Sequence, residues 1–348
     1  MESFHLRPFA PQDGPAFDRL QLESPDTGRI HFTYHYQIDP YAALHARQGD
    51  FLGVVAEVPG HDGLVGACLV DFREAQIEGA LRPCGLLNTL VVHPKFRRRG
   101  IATALVAWCV QAARERFGDE GVVWALIQRG NVGSVRTLTK HLRQTIPERV
   151  VSIPIKVRSR PPRPVEGWHV READEDDLPQ VAERMNRFYD GYNFYRPQTA
   201  DTLAQWLTTS PFETPFRRYL VLTDGAGEIL AGAGVEEGYR LGTLHVEDMS
   251  PSLRVLNGLL RLVPADGVSK GLTLTKVWHA PGQVWAARYL VESICWQWRD
   301  QATMAAAHVD LESPLIRVFP LRPWTPAPRL SVVAAGPVAL SPERYIAY

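Results

Sequence analysis

The chain has 348 residues, with 38 Lys and Arg against 38 Asp and Glu, so its formal net charge is zero. That balance gives no global field to draw it to nucleic acid or an anionic membrane, and the length allows two domains that each bury a core. Cys68, Cys84, Cys109 and Cys295 stand far apart without a Cys-x-x-Cys spacing, the start Met1-Glu2-Ser3-Phe4-His5 lacks the regions of a signal peptide, and no window reaches membrane-span length; the expectation is a cytoplasmic protein without a disulfide framework or a metal site.

In chain order, Phe4-His5-Leu6-Arg7 reads as a strand, followed by Asp13 and a helical pattern at Phe17 and Leu20. Between this helix and the next lies Gly28-Arg29-Ile30-His31-Phe32-Thr33-Tyr34-His35-Tyr36-Gln37-Ile38-Asp39-Pro40-Tyr41, whose alternation of aromatic and polar residues suits a half-buried strand. A hairpin follows, from Phe51 to Glu57, through Pro59-Gly60-His61-Asp62-Gly63, and back from Leu64 to Val70. Leu90-Val91-Val92 then ends a strand at Pro94, and the basic turn Lys95-Phe96-Arg97-Arg98-Arg99-Gly100 opens a helix whose apolar period is Ile101, Leu105, Cys109 and Ala112. A strand (Val122 to Ile127), a helix (Val132 to Leu142) and a closing strand (Arg149 to Val157) complete this half. A turn at a helix N-terminus brings free N–H groups and the positive end of the helix dipole to one point, and three arginines add charge there, so it suits a pyrophosphate.

The second half repeats the plan at a constant offset: Trp168-His169-Val170-Arg171 and Asp177 align with Phe4-His5-Leu6-Arg7 and Asp13. Its helical pattern runs through Leu178, Val181 and Met185, and its hairpin runs from Tyr219 to Thr223 and from Ile229 to Val235 around Asp224-Gly225-Ala226-Gly227. Arg158-Ser159-Arg160-Pro161-Pro162-Arg163-Pro164 separates the copies as an extended connector.

The spacing Arg97-x-x-Gly100-x-Ala102, preceded by Leu90-x-Val92-x-Pro94, resembles the acetyl-CoA pyrophosphate loop of the GNAT acetyltransferases. The resemblance implies an α+β fold of two tandem GNAT-like domains, each a mixed, mostly antiparallel sheet flanked by helices. Their expected bounds are 1–157 for an acetyl-CoA-binding domain, 158–167 for the linker, and 168–348 for a degenerate copy with a C-terminal extension. The layout is similar to the mycothiol synthase type, in which the C-terminal copy is the active one, so that substrate is not carried over. In this chain the second copy's counterpart of the turn is read at Leu244 to Leu256, which has one arginine, no glycine, and carboxylates at Glu247 and Asp248. Those two are read as a solvated loop, with a metal or acid/base pair as the sharper alternative.

The resemblance implies that acetyl-CoA is held by Leu90, Val91, Val92, Arg97, Arg98, Arg99, Gly100, Ile101, Ala102, Thr103, Asn131 and Ser134, with N–H groups near Val92 polarising the thioester carbonyl. Asn131 has a plain alternative as the N-cap of its helix. The chain departs from the family where proton transfer is concerned: Leu138 stands at the usual tyrosine acid, and Asn88 and Thr89 stand where a carboxylate base is common. His31, Tyr34, His35, Tyr36 and, holding a water, Asn88 are the substitute catalytic candidates, with His93 beside them. The cluster Phe188-Tyr189-Asp190-Gly191-Tyr192-Asn193-Phe194-Tyr195 reads as packing between halves or as an acceptor wall, and Val284 to Trp296 as a core helix. The expected activity is acetyl transfer to an amine of a small molecule or peptide by a monomer or homodimer, with no nucleic acid, membrane or metal; the alternative is a non-catalytic acyl-CoA-binding protein.

Overall fold

The computed structural model describes residues 3–27, 30–260, 263–319, 321 and 327–347; Gly28 and Arg29 of the aromatic segment lie outside them. In the first half the elements are β1 (His5–Pro8), α1 (Gly14–Leu22), β2 (Asp26–Thr27), β3 (Ile30–Tyr36), α2 (Pro40–Gln48), β4 (Phe51–Glu57), β5 (Gly66–Ile77), β6 (Ala80–Val92), α3 (Ile101–Phe117), β7 (Val122–Gln128), α4 (Val132–Leu138) and β8 (Gln144–Lys156). The second half has β9 (His169–Glu172), α5 (Leu178–Phe188), α6 (Ala200–Thr208), β10 (Arg217–Thr223), β11 (Ile229–Glu236), β12 (Gly242–Met249), α7 (Pro251–Leu260), β13 (Val268–Ser269), β14 (Gly271–His279), α8 (Val284–Gln297), β15 (Met304–Asp310) and β16 (Arg329–Ala335).

The repeat seen in the sequence is a repeated physical device. Arg7 on β1 donates to both carboxylate oxygens of Asp13, at 2.7 and 2.8 Å, and Asp13 also accepts the Ala10 N–H. Arg171 on β9 grips Asp177 in the same two-pronged way, and Asp177 accepts the Asp174 N–H. Each clamp ties an edge strand to the start of the following helix, and bidentate pairs of this kind fix direction as well as proximity.

Twelve strands form one sheet in the order β1-β4-β5-β6-β7-β16-β8-β15-β14-β11-β10-β9. β6 and β7 run parallel over Cys84–Leu87 and Val122–Ala125, and β14 and β15 run parallel over Gly271–Leu274 and Met304–Ala307. The exchange at the centre was not readable from chain order. β16, from the end of the chain, lies between β7 and β8, while β8 pairs antiparallel with β15. The connector at 158–167 therefore divides the chain, whereas the sheet runs across that division: the last strand completes the first half, and β8 borders the second.

A second sheet, β13-β12-β3-β2, joins the halves through antiparallel pairing of β3 with β12. This corrects the reading of Leu244 to Leu256, which forms β12 and α7 rather than the counterpart of the basic turn. The true counterpart is Ala280-Pro281-Gly282-Gln283, between β14 and α8. Two observations locate it: the parallel pairing ends at Leu87 and Leu274, and two residues on, each strand has a positive φ, 52° at Thr89 and 51° at Lys276. Register shifts accompany both, as β-bulges require.

The helices cover the sheet because their apolar residues recur on one side. On α3, Ile101, Leu105, Val106, Cys109 and Ala113 are buried against Val54, Val70 and Leu87. The approach is close at Gly66, where a Cβ would stand 3.0 Å from Ile101 and Leu105 side-chain carbons. α1 and α2 cover the opposite face, where Phe9, Phe17, Leu20, Leu44 and Leu69 form a cluster. As expected, α8 is a core helix, burying Ala286, Ala287, Leu290, Val291 and Ile294.

Candidate acyl-CoA site

β6 and β7 part after Leu87 and Ala125, and Asn88–Val92 continues without a partner on that side. The His93 N–H donates to the O of Val65, the residue before β5, at 3.0 Å, so strand alternation turns the N–H and C=O of Val92, and of Leu90 before it, toward the open gap. The Val92 carbonyl is occupied by Arg97 Nε at 3.1 Å. Its N–H is left at the edge of the gap, where it can polarise a carbonyl brought between the strands.

The turn that follows is built for close approach. His93, 6 % exposed, holds it from inside: its Nδ1 accepts the Lys95 N–H at 3.2 Å, and its Nε2 lies 3.3 Å from Glu23. Arg98 has φ 66°, and Gly100, the N-cap of α3, has φ 87°, a left-handed conformation that favours glycine. A Cβ at Gly100 would meet nothing within 4 Å, so its outer side is open, and Gly100 caps with no side chain. The first N–H groups of α3 lack intrahelical partners and point out here with the positive end of its dipole.

These observations fit a pyrophosphate, and they separate the sequence candidates. Ile101 is 1 % exposed, so only its backbone can face a ligand, while Arg97, Arg98 and Arg99 stand around the turn; Arg99 lies 5.0 Å from the centre of the Phe96 ring. Val91 packs toward Phe17 and Leu69 on the α1/α2 face, and Leu90 and Val92 pack on the α3 side. Asn131 caps α4, accepting the Ser134 N–H at 3.0 Å. Lys140, just past the C-terminal end of α4, reaches Thr103 Oγ1 at 3.5 Å and ties that end to the start of α3.

Leu138 is 5 % exposed and belongs to the core with Leu142 and Ile127, so α4 turns an apolar side chain inward at the position read for the acid. Asn88 is more than a water-holder. Its amide donates to Asp71, and its carbonyl accepts Gln48 Nε2 at 3.1 Å and Thr89 Oγ1 at 2.9 Å. Asp71, 2 % exposed, also pairs with Arg73; burial raises its pKa against the opposing pull of that guanidinium. Sequence reading passed over this carboxylate, although a single Asp inside Leu69-Val70-Asp71-Phe72 was a visible signal.

The substitute candidates sit on β3 and have structural partners. His31 lies opposite Asp248. His35 stacks on His245 at 3.7 Å and shares a hydrogen bond of 3.0 Å with Thr33. Tyr34 meets Tyr36 edge-on at 4.9 Å, and Tyr36, its hydroxyl pKa pushed well up by burial, packs near Phe17. Among the described residues none of the four is hydrogen-bonded to Asn88 or to the turn. Glu247 and Asp248 lie on β12 and not in a loop; Glu247 accepts Thr33 Oγ1 at 2.9 Å, and Asp248 pairs with Arg254 at 2.8 Å. The aromatic cluster packs between halves: Phe194 stacks on Trp124 at 4.0 Å, and the backbone of 194–195 pairs with Gln76.

Residues 18–142 match the model of the Acetyltransferase (GNAT) family. No curated protein matches the sequence. Among solved structures, Saccharomyces cerevisiae N-myristoyltransferase with bound myristoyl-CoA is similar at 11 % identity, covering 97 % of this chain and 85 % of that one with a TM-score of 0.65. A GCN5-related N-acetyltransferase from Sphaerobacter thermophilus is similar at 16 % identity, covering 97 % and 98 % with a TM-score of 0.59. Both likenesses extend over nearly the whole chain and establish the α+β fold of two GNAT-like halves. Among the described residues, no helix is long and apolar enough to cross a membrane.

Proposed function

We propose that this protein is an acetyl-CoA-dependent N-acetyltransferase whose first half holds the cofactor and whose second half is a degenerate copy that shapes the acceptor side. The observation that carries it is the left-handed Gly100 turn at the start of α3, directly beside the unpaired Val92 edge. Bound acetyl-CoA would supply a thioester whose acetyl group passes to an amine by direct attack. Leu90, Val91, Val92, Arg97 to Thr103, Asn131 and Ser134 are the residues that would hold it. The Val92 N–H would polarise the carbonyl oxygen, and Asp71, which accepts from Asn88 on the unpaired stretch of β6, is the carboxylate that would take the amine proton. The second half's turn, Ala280 to Gln283, is shorter and has no arginine, which supports its assignment as the degenerate copy.

The acceptor is proposed to be a small-molecule or peptide amine, with no nucleic acid, membrane or metal involved, and the setting cytoplasmic, as monomer or homodimer. Buried Leu138 favours one second reading, an acyl-CoA-binding protein without turnover. Thiol release from acetyl-CoA across a panel of amines separates the two. The enzyme reading expects turnover that Arg99→Glu with Gly100→Asp abolishes, and that Asp71→Asn lowers by about 100-fold in kcat with CoA affinity kept. Tight CoA binding with no thiol release across the panel would establish the second reading.

A further inference from the structure

Where the halves meet, on the sheet face that carries Asn88 and Asp71, positive side chains outnumber the carboxylates that could neutralise them. Arg73 shares that face with Asp71, two residues along β5, and lines a cleft of about 380 Å3 whose opposite wall includes Arg196, Pro197 and Thr202. Near this cleft, on the bulge of β14, is Lys276, the structural counterpart of Thr89, close enough to Arg196 and Arg73 to feel their charges. Its ammonium donates to Gln198 Oε1 at 3.2 Å and stands 5.4 Å from the centre of the Trp206 ring. Arg217, 5 % exposed, lies against the same ring and donates to Ala46 O at 2.7 Å.

Apart from Glu74, which is exposed on the cleft wall, the carboxylates nearby are already engaged. Asp71 is taken by Arg73 and Asn88, and Glu236 by Arg217 at 3.0 Å and Arg47 at 3.3 Å. Asp50, at the cleft wall, pairs with Arg116. Among the described residues Arg196 and Lys276 have no carboxylate partner within ion-pair distance. Burial, and then repulsion from Arg196, Arg217 and Arg73, hold the Lys276 pKa down to about 7 against the attraction of Glu236. A half-buried lysine left unpaired among arginines costs folding free energy, and an incoming anion removes that cost.

We propose that the acceptor is an amine that also carries a carboxylate, as amino acids do, with the carboxylate held by Lys276 and Arg196 and the amine directed toward Asp71 and Asn88. This rests on the acetyltransferase reading for the transfer itself, but the anion site stands or falls separately. In the transfer a C–N bond forms to the acetyl carbonyl carbon, the C–S bond breaks, and the proton lost by the amine balances the one taken up by the CoA thiolate.

The experiment uses the full chain and matched amines: lysine with cadaverine, ornithine with putrescine, phenylalanine with phenethylamine. Calorimetric titration with and without CoA measures binding, and thiol release measures kcat/KM. The carboxylate member of at least one pair is expected to bind at least 30-fold more tightly, and Lys276→Met and Arg196→Gln should each reduce that preference at least tenfold without changing CoA affinity. Arg196 is exposed, so its variant serves if Lys276→Met melts early. Binding that survives Arg99→Glu with Gly100→Asp, without turnover, keeps the anion site while the transfer is lost. A carboxylate preference that resists both variants overturns the proposal, as does the absence of such a preference or of binding in every pair. Carboxylate-amine binding in a protein that does not bind CoA at all retains the site and overturns the acetyltransferase reading instead.

Discussion

Removing residues 329–348 takes β16 out of the sheet and leaves β7 and β8 each with an unpaired edge. The apolar loss alone is large: Val332, Val333 and Ala334 are 0–1 % exposed, and two buried valines with an alanine contribute about 4–6 kcal/mol. The same cut deletes the Ile346 N–H that donates to Asp310 at 2.7 Å, and the Arg344 carbonyl that accepts from buried Arg149 at 3.4 Å. Charge-assisted bonds of this kind add about 1.5–3 kcal/mol each. The total matches or exceeds much of the ~5–15 kcal/mol that a folded domain has to spare. The chain ending at 328, and equally the fragment 1–157, should therefore be aggregated or lack a cooperative melt, and a synthetic peptide of residues 327–347 should restore part of the signal to the shorter chain. Size-exclusion chromatography, circular dichroism melting and CoA titration read the outcome. A monomeric 1–157 that melts cooperatively and binds CoA as tightly as the full chain would refute the strand exchange as a requirement for folding.

Four further outcomes follow from three positions. Gly100→Ala should cost about 1 kcal/mol of stability, for the left-handed backbone alone, since its Cβ has open space. Gly100→Asp should weaken CoA binding by over 100-fold, because a carboxylate about 5 Å from a phosphate charge at an effective dielectric of about 20 costs about 3 kcal/mol; an unchanged affinity by calorimetry would remove the turn from the site. Leu138→Tyr should lower the melting temperature, reflecting about 1–3 kcal/mol of overpacking, without raising kcat, because that side chain points into the core. Lys276 binds its proton more weakly folded than unfolded, so the unfolded chain holds more protons between about pH 7 and the ordinary lysine range, and stability rises with pH across that window. Denaturant midpoints of the wild type should show this rise and those of Lys276→Met should not, the facing Arg73, Arg196, Arg217 and Glu236 being unchanged between them.

The site was legible where local chemistry defines it. Arg97, Gly100 and Ala102 sit between a strand and a helix within one short stretch, so the conformation and its charge are written in neighbouring residues. Asp71 was missed because its meaning comes from Asn88 as well as its strand neighbour Arg73, and only the pairing of β5 with β6 brings Asn88 to it. The counterpart turn was misplaced for a similar reason: β12 has the right order in the chain, but a strand's partners depend on which edges remain open, and β12 found β3.

What the sequence determined by itself was the repeat, the element types and the basic glycine turn at the start of α3, since periodicity, turn residues and the Arg–Asp clamp act over a few residues. The tertiary structure alone decided that β16 completes the first half, that β8 borders the second, and that Arg73 and Arg196 line one cleft with Lys276 near enough to feel both charges. Those outcomes depend on closing long loops and on burying edges and like charges together, and no local pattern encodes such terms.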